Sequence, residues 1–438
     1  MRVAMLTPMA QDSAIADVML QAVPDLAREW DLEVWYPAEP NPRPCPVPSR
    51  SFGALDSDAL AELAEFDLVV YVLGDSPFHA AMLPFMRRIP GLVVLHDASI
   101  TNLVRTAAVR DKSLDTVVRE VEELHGEEAA EILRVGYAPG GPLKWLDFCS
   151  QVPLDQIALQ RSLGAVVHSQ WHARRVDGMS LGEITVAPLP VPTSRMREKS
   201  ERARGPIDKA LAALDPADLL VVTVGHVNAN RLVDEIVSAA ADLESERLHV
   251  WAVGHVESST RAELRRRAVQ LGLGDRFLLT GRVDDALLAD VLERADIAVA
   301  LRTPVLEGQS ASVLTQMRAG LPAVVLNHGH YAELPDDAVV KVDPDNVRHG
   351  LVDALQRLAR DPEERARRGE AARDYAGARN GSAYADAILV AAERALAARP
   401  MTVLAADLNR RLERIDLHRQ PAVVDLVSDL AFELFDLA

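Results

Sequence analysis

The sequence predicts an α/β protein with two doubly wound parallel sheets. Short β-branched runs alternate with longer helical patterns along most of the chain, which is typical of parallel strands joined by crossover helices. The length of 438 residues exceeds what one hydrophobic core usually supports, so two domains are expected. Aromatic residues make up only 4% of the chain, which suits α/β layers better than an aromatic-rich sandwich.

The strands of each sheet follow from the apolar runs, taken in chain order. In open parallel sheets, ligands bind outside the carboxyl ends of the strands, so the loops after these runs are the candidate sites. The predicted strands of the first half are VAMLT, LEVWYP, LVVYVLG, GLVVLHD and AVVHS. Those of the second half are LVVTVG, LHVWAVG, RFLLTG, IAVALR, PAVVLN and AVVKV.

Residues 190–210 have the composition of a linker between the two sheets. They contain three prolines, then a run of charged residues and a glycine. We therefore predict domains at 1–195 and 196–380, followed by a helical extension at 399–438. The apolar face of that extension must be buried against the protein or against a second subunit, which would allow a homo-oligomer.

Charge and cysteine content limit the partners and the compartment. The formal net charge of −18 disfavours nucleic acid and anionic membrane as primary partners. Cys45 and Cys149 are too few for a disulfide framework, so reduced thiols are expected. The N-terminus reads as a first strand and not as a secretory signal, and no segment is apolar enough to span a membrane. We expect a cytoplasmic protein.

The segment RTPVLEGQSASVLTQMRAG, residues 302–320, leads from a predicted strand into a helix. Ser310, Ala311 and Ser312 can expose N–H groups at the helix N-terminus, where their small side chains let a phosphate approach. Glu307 lies beside them and could accept hydrogen bonds from hydroxyl groups. The alternative is an ordinary N-cap at Ser310 and a solvated acid at Glu307.

Two further loops carry candidate ligand contacts. His226 and Arg231 follow the strand LVVTVG and its glycine, so both could contact a pyrophosphate, although an arginine early in a helix is often only solvated. His96 and Asp97 follow the strand GLVVL. His96 could reach a cleft or could be hydrogen-bonded in the core, and Asp97 is predicted to cap the next helix.

These motifs, in this order, resemble the group 1 (family 4) glycosyltransferases. The resemblance runs from residue 1 to about residue 397 and includes PMAQDSAIADVM, HD at 96–97, VVHSQWHARRV, GHVNANR, EGQSASVLTQMRAGLPAVV and YAELP. It implies a retaining enzyme of the GT-B fold, in which two Rossmann-like domains face each other across a cleft. It also implies that a helix within 380–398 completes the first domain.

The resemblance assigns a role to each matching residue. It places His226 and Arg231 on the donor diphosphate, Glu307 on the donor sugar and His96 near the reacting carbon. It also implies that Gly281 and Arg282 meet the nucleobase. The full set of donor-binding residues expected from it is Ser13, Ala14, Gly225, His226, Gly281, Arg282, Gly308, Gln309, Ser310, Ala311, Ser312 and Thr315, with His96, Arg231 and Glu307 as catalytic residues.

Two residues depart from the family pattern. Thr315 stands where the family's second acid usually binds ribose, and a neutral hydroxyl bond is weaker than a charged one by roughly 1 kcal/mol or more. Ser13-Ala14 stands where a glycine is common, so an added methyl group hinders close phosphate approach. Both changes are consistent with an altered donor or with a weakened site.

The expected reaction is transfer of a sugar from a UDP-, GDP-, ADP- or TDP-sugar to a small-molecule or glycan acceptor. Positive potential stabilises the leaving diphosphate, and no cofactor or metal is expected. A non-catalytic homologue that serves as a sugar-phosphate-binding or partner subunit is one alternative. A nucleotide-sugar epimerase of the same fold is another.

Other acids and histidines near the loops have simpler interpretations. The acid pairs at Asp56 and Asp58 and at Asp284 and Asp285 are interpreted as helix starts. His79 could line the acceptor side or pack in the core. His328 and His330 lack further metal ligands, and Glu333 is expected beside the site without touching the ligand.

Overall fold

A computed structural model describes residues 1–53, 56–191 and 205–414, together with positions 420, 422, 423 and 426. Contacts divide the chain into two compact units. Unit 1 contains Met1–Gly136, Gln151–Pro188 and the segment from Ser382 onward, and unit 2 contains Tyr137–Ser150 and Leu189–Gly381. The middle of the predicted linker, residues 192–204, and most of 415–438 in the predicted extension lie outside the described residues.

Eleven of the thirteen strands in the described residues follow the apolar runs of the sequence. In chain order the thirteen strands are β1 (Arg2–Leu6), β2 (Asp31–Pro37), β3 (Ser49–Phe52), β4 (Leu68–Leu73), β5 (Leu92–Leu95), β6 (Gly164–Val167), β7 (Ile184–Val186), β8 (Leu219–Val224), β9 (Leu248–Val253), β10 (Phe277–Gly281), β11 (Ile297–Ala300), β12 (Ala323–Leu326) and β13 (Val339–Val342).

Helices connect the strands and extend to the last part of the chain that the structure describes. They are α1 (Ala14–Glu29), α2 (Ser57–Leu63), α3 (Leu83–Met86), α4 (Thr101–Arg110), α5 (Leu114–His125), α6 (Glu127–Val135), α7 (Pro142–Gln151), α8 (Gln156–Leu159), α9 (Gln170–Val176), α10 (Pro206–Ala212), α11 (Val233–Asp242), α12 (Ser258–Gln270), α13 (Asp285–Arg294), α14 (Ala311–Arg318), α15 (Val347–Arg360), α16 (Pro362–Gly377) and α17 (Gly381–Arg414).

Unit 1 is built on a parallel sheet in the order β3-β2-β1-β4-β5-β6-β7. The central strands β4 and β5 are buried at every position, as expected for strands covered by helices on both faces. The strands at the two edges, β3 and β7, were not predicted. Three of the four residues of β3 are exposed and all of β7 is only partly buried, so neither has an apolar pattern.

Unit 2 contains a parallel sheet in the order β10-β9-β8-β11-β12-β13. Its core includes Val221, Val250, Ile297 and Val324, none of which is exposed to solvent. The chain runs outward from β8 to β10 and then returns to place β11 on the other side of β8. This reversal between β8 and β11 is the switch point at which doubly wound sheets bind ligands.

The acid pairs start helices, as predicted. Asp56 caps α2 by accepting hydrogen bonds from the N–H groups of Asp58 and Ala59, and Asp284 caps α13 by accepting one from the Leu287 N–H at 2.7 Å. The prediction that Asp97 caps a helix is wrong. Helix α4 begins later, at Thr101, and the Asp97 carboxylate instead accepts a hydrogen bond from the Asp75 N–H at 2.6 Å.

Helix α17 packs into unit 1. Tyr384 is fully buried, and its hydroxyl lies 3.8 Å from the sulfur of Met19 in α1. Arg394 forms an ion pair with Glu183 at 2.8 Å. Over the residues with described positions, no helix has both the length and the apolar character required to cross a bilayer.

Candidate functional site

The switch point of unit 2 brings two loops together. One loop follows β8 and contains Asn230, and the other follows β11. Asn230 accepts a hydrogen bond from the Thr303 N–H at 3.0 Å through its main chain, and its side-chain amide donates to the Pro304 carbonyl, also at 3.0 Å. Because β8 and β11 are neighbours, the residues after both strands share one edge of the sheet.

Arg231 is buried in this region, with 5% of its surface exposed. One guanidinium nitrogen donates to the Val224 carbonyl at 2.5 Å and another to the Ser312 hydroxyl at 3.4 Å. Nε of Arg231 has no hydrogen-bond partner among the described residues. Gly225 makes room for this group, since a Cβ there would overlap the guanidinium and the φ of +119° disfavours other residues.

A second arginine, Arg302, holds Glu307. Nε of Arg302 lies 3.1 Å from Oε1 of Glu307, while Nη1 donates to the side-chain oxygens of Asn230 at 2.6 Å and Asn228 at 3.2 Å. The Tyr331 hydroxyl donates to the same Oε1 at 3.0 Å. The sequence indicated Glu307 but not Arg302 or Tyr331. The position of Arg302 directly after the predicted strand IAVAL was the available signal.

The buried charges of this cluster do not balance. Burial alone would raise the pKa of Glu307, but Arg302, His330 and Arg231 hold it well below its usual range, so the group is a carboxylate. Burial, and then Arg302, lower the pKa of Arg231 to about 10, which leaves it protonated at neutral pH. The buried guanidinium of Arg231 and the partly buried guanidinium of Arg302 therefore face one carboxylate. A buried charge without a partner is costly, so the cluster is suited to bind an anion.

The N-terminus of α14 adds hydrogen-bond donors beside Arg231. Ser310 is its N-cap residue but accepts no hydrogen bond from the helix, and its hydroxyl lies 3.1 Å from that of Ser312. The first N–H groups of a helix have no partner within it and favour a negative charge. Gly308, which is buried, and Ala311, which is partly buried, add no large side chain to this turn.

Two other predicted donor-binding residues already make internal contacts. The side-chain oxygen of Gln309 accepts a hydrogen bond from the Leu189 N–H at 3.3 Å. The Thr315 hydroxyl donates to the Ala311 carbonyl at 2.8 Å, and Thr315 is 3% exposed. Because the hydroxyl proton of Thr315 is already donated to its own helix, this residue could offer a ribose only a lone pair.

The remaining predicted contacts of unit 2 are more exposed. His226 is exposed, with its ring centre 5.0 Å from that of His255. Gly281 ends β10 and its carbonyl accepts a hydrogen bond from the Gly254 N–H at 3.0 Å. Arg282 is exposed. These residues line the same edge of the sheet as Arg231, but β9 separates β10 from β8.

One group of side chains could hold a metal ion in the portion of the chain that is described. His226, His255 and Glu257 place their ligand atoms within 4.8 Å of one another, and all three are exposed. His328 and His330 are not part of it. Nε2 of His328 contacts the Arg302 carbonyl at 2.5 Å, and His330 is fully buried with Nε2 3.9 Å from Glu307.

The predicted residues of unit 1 lie at its own strand ends. Ser13 caps α1, and its hydroxyl accepts a hydrogen bond from the Ala16 N–H at 3.2 Å. Ala14 is the exposed first residue of that helix. His96 follows β5 and is 6% exposed. His79 is 1% exposed, and its Nδ1 lies 2.9 Å from the Val72 carbonyl, so it is a core residue. Glu333, in unit 2, is exposed.

Acidification should destabilise unit 1 because several histidines are buried there in the neutral form. Burial lowers the pKa of His79 and of His168 to about 4, and burial with neighbouring histidines holds that of His96 well below its usual value. Between pH 6.5 and 4 the unfolded chain binds more protons at these groups, so stability falls as the pH falls. Each histidine contributes roughly 1.4 kcal/mol per pH unit in that window.

Two buried acids oppose this effect without cancelling it. Burial raises the pKa of Asp75 to about 6 and raises that of Asp155 well above its usual value, so both favour the folded state on acidification. Three histidines are opposed by two acids, so we expect the free energy of unfolding still to fall as the pH falls between 6 and 5. Denaturant unfolding of the protein at pH 7, 6 and 5 measures this change in the free energy of unfolding. If unit 1 becomes more stable against denaturant as the pH falls, the expected sign is wrong.

The fold, together with a family match over part of the chain, indicates the class of this protein. Two parallel Rossmann-like sheets, the second with its cluster at the switch point, are the architecture of GT-B glycosyltransferases. Residues 207–375 match the family described as glycosyl transferases group 1. This match covers most of unit 2 and confirms the resemblance seen in GHVNANR and EGQSASVLTQMRAGLPAVV.

One relative by sequence is D-inositol 3-phosphate glycosyltransferase 2 of Catenulispora acidiphila. It is 30% identical over 203 residues, which are 42% of this chain and 46% of the relative. The match thus spans slightly less than half the length of that protein. Its own name describes an activity on D-inositol 3-phosphate.

Solved structures share the whole fold. HepE of Anabaena in complex with UDP-glucose is 14% identical with a TM-score of 0.60, covering 89% of this chain and 99% of HepE. Sucrose-phosphate synthase from Thermosynechococcus elongatus is 16% identical with a TM-score of 0.57, covering 94% and 99%. These matches confirm the predicted GT-B fold.

Proposed function

We propose that this protein is a retaining glycosyltransferase that moves a sugar from a nucleotide-sugar donor to an acceptor. The observation that carries the proposal is the charge imbalance at the switch point of unit 2, where Arg231 and Arg302 face the single carboxylate of Glu307. A donor diphosphate would supply the missing negative charge. The UDP-glucose in the related HepE structure is consistent with this class of ligand.

The proposed mechanism follows from the positions of the hydrogen-bond donors around the site. As the bond from the anomeric carbon to the diphosphate breaks, negative charge develops on the phosphate. Arg231 and the N–H groups at the start of α14 would stabilise it. The acceptor hydroxyl attacks on the same face of the sugar and gives its proton to the leaving phosphate. No step requires a metal ion.

Glu307 would orient the sugar through one oxygen. The contacts of its carboxylate with Arg302, Tyr331 and His330 are made to Oε1. We therefore assign the acceptance of donor sugar hydroxyls to Oε2. Arg302 and Tyr331 are positioning residues, because they hold the carboxylate without themselves being assigned to the ligand.

The acceptor is proposed to be a soluble small molecule or glycan, handled in the cytoplasm. The net charge of −18 disfavours approach to anionic lipid headgroups. The name of the Catenulispora relative makes D-inositol 3-phosphate a reasonable first acceptor to test.

A thermal-shift screen against UDP, GDP, ADP and TDP and their sugars tests the proposal. A specific donor should raise the melting temperature in a concentration-dependent way, by mass action on the folded state. Release of the nucleoside diphosphate is then followed with D-inositol 3-phosphate as acceptor. If none of these nucleotides shifts the transition, the donor assignment is wrong.

A non-catalytic sugar-phosphate-binding subunit is the second candidate, and Thr315 favours it. The proton of its hydroxyl is donated to Ala311, so the ribose contact of the family's second acid is weakened here. The same assay separates the two candidates. A binding subunit would show the thermal shift without release of the nucleoside diphosphate in the presence of any acceptor.

A further inference from the structure

Three neighbouring strands of unit 1 end in polar groups that contact one another. His96 follows β5, His168 follows β6 and Ala187 follows β7. These strands are adjacent and parallel, so their carboxyl ends lie side by side. Nδ1 of His168 is 3.3 Å from the Ala187 carbonyl oxygen, and Nε2 of His168 is 3.0 Å from Nδ1 of His96.

The positions of the hydrogen atoms in this series of contacts follow from the contact between His168 and the Ala187 carbonyl. A carbonyl oxygen only accepts, so Nδ1 of His168 carries the hydrogen and donates it to Ala187. Burial keeps the pKa of His168 at about 4, so the ring is neutral at pH 7 and its Nε2 holds a lone pair. Nδ1 of His96 must then donate to that lone pair.

Nε2 of His96 is therefore also left with a lone pair. Burial first, and then His168, His79 and His172, hold the pKa of His96 well below its usual value, so this ring is neutral too. Nε2 is buried and has no hydrogen-bond partner in the described part of the chain. His79 cannot change this state, because its own Nδ1 donates to the Val72 carbonyl at 2.9 Å and leaves its Nε2 as an acceptor.

We propose that His168, held by the Ala187 carbonyl, is a positioning residue that fixes His96 in the Nδ1–H tautomer, so that Nε2 of His96 accepts a hydrogen bond from a substrate hydroxyl. A phosphate oxygen or a carbonyl could not pair with this nitrogen, because both only accept. The proposal deepens the proposed function, since the hydroxyl would belong to the donor sugar or to the acceptor.

The tautomer can be measured without any substrate. Long-range ¹H–¹⁵N spectra of the full chain at pH 7.5 should show His96 with a protonated Nδ1 and an unprotonated Nε2. In His168→Phe, which keeps a ring but removes the acceptor, His96 should lose this single state. The Nδ1–H tautomer of His79 should persist in the same spectrum and serves as the internal control. A protonated Nε2 on His96 in the wild type would overturn the proposal, even if the variant fails to fold.

Ligand titrations then test the hydroxyl contact and its source. UDP, UDP-glucose and D-inositol 3-phosphate are added separately to the wild-type protein. The Nε2 resonance of His96 should move with UDP-glucose if the donor sugar supplies the hydroxyl, or with D-inositol 3-phosphate if the acceptor does, and should not move with UDP. If neither UDP-glucose nor D-inositol 3-phosphate moves it, the proposal that His96 accepts a hydrogen bond from a hydroxyl of the donor sugar or of the acceptor is wrong.

The affinity of His168→Phe provides the functional readout. The dissociation constant of the ligand that moves the resonance should rise by about tenfold, the effect of one hydrogen bond, while that of UDP stays unchanged. An equal rise for UDP would indicate general damage and contradict a positioning role. If no nucleotide in the thermal-shift screen binds, the proposed function is wrong. The proposed tautomer of His96 is tested separately, by the spectrum of the wild-type protein alone.

Discussion

Replacement of Arg231 with alanine should abolish the rise in melting temperature that a nucleotide sugar gives the wild-type protein. Arg231 is buried, its Nε has no hydrogen-bond partner among the described residues, and its guanidinium lies against Ser312 at the start of α14. Its loss would remove the largest source of positive charge for the diphosphate in ground state and transition state. We expect kcat/KM to fall by roughly 100- to 1000-fold, as for loss of one preorganised donor.

Two matched variants distinguish the effect of losing the Arg231 charge from a general effect of the substitution on folding. Arg265→Ala removes an exposed arginine of unit 2 and should leave both the thermal shift and the activity unchanged. Arg231→Lys keeps the charge but loses the planar fork, so it should retain part of the shift. If Arg231→Ala keeps the full shift, the diphosphate is not bound by this residue.

Replacement of Glu307 with glutamine should strongly destabilise unit 2. The substitution would leave Arg302 and Arg231 buried without an anion, and removal of one partner of a buried ion pair typically costs about 3–5 kcal/mol. Denaturant unfolding of the ligand-free protein measures the loss. Glu333→Gln, at an exposed acid in the same unit, is the matched control and should have little effect.

A double variant distinguishes the structural role of Glu307 from its proposed catalytic role. Arg302→Met combined with Glu307→Gln removes both charges of the pair, so much of the lost stability should return. Sugar transfer should not return, because no carboxylate remains for the donor sugar. If Glu307→Gln is as stable as the wild type, the ion pair with Arg302 does not hold this loop together.

The sequence predicted the buried strands because each has a continuous apolar run. β4 and β5 are buried at every position, and both were found. It could not predict β3 and β7, since an edge strand is half exposed and needs no apolar pattern. The capping role predicted for Asp97 failed because its carboxylate instead accepts a hydrogen bond from the Asp75 N–H, a residue 22 positions away in the sequence.

The sequence predicted the site residues that lie in recognisable loop motifs. It missed those whose roles depend on tertiary contacts. Arg231 and Glu307 lie in motifs that resemble a family, so they were named. Arg302 and His168 each lie near the end of a predicted strand, but their contacts with Asn228 and with His96 join residues 74 and 72 positions apart in the sequence. A local pattern holds no signal for such pairs.

The packing of α17 into unit 1 has a consequence for biosynthesis. Unit 1 is assembled from segments on both sides of unit 2, and Tyr384 fills its core against Met19. On the ribosome, the nascent first sheet must therefore wait, with part of its apolar surface uncovered, until nearly two hundred later residues have been translated. Unit 2 is close to continuous in the chain and could fold first. We therefore expect chaperones to be needed mainly by unit 1, which is synthesised earlier.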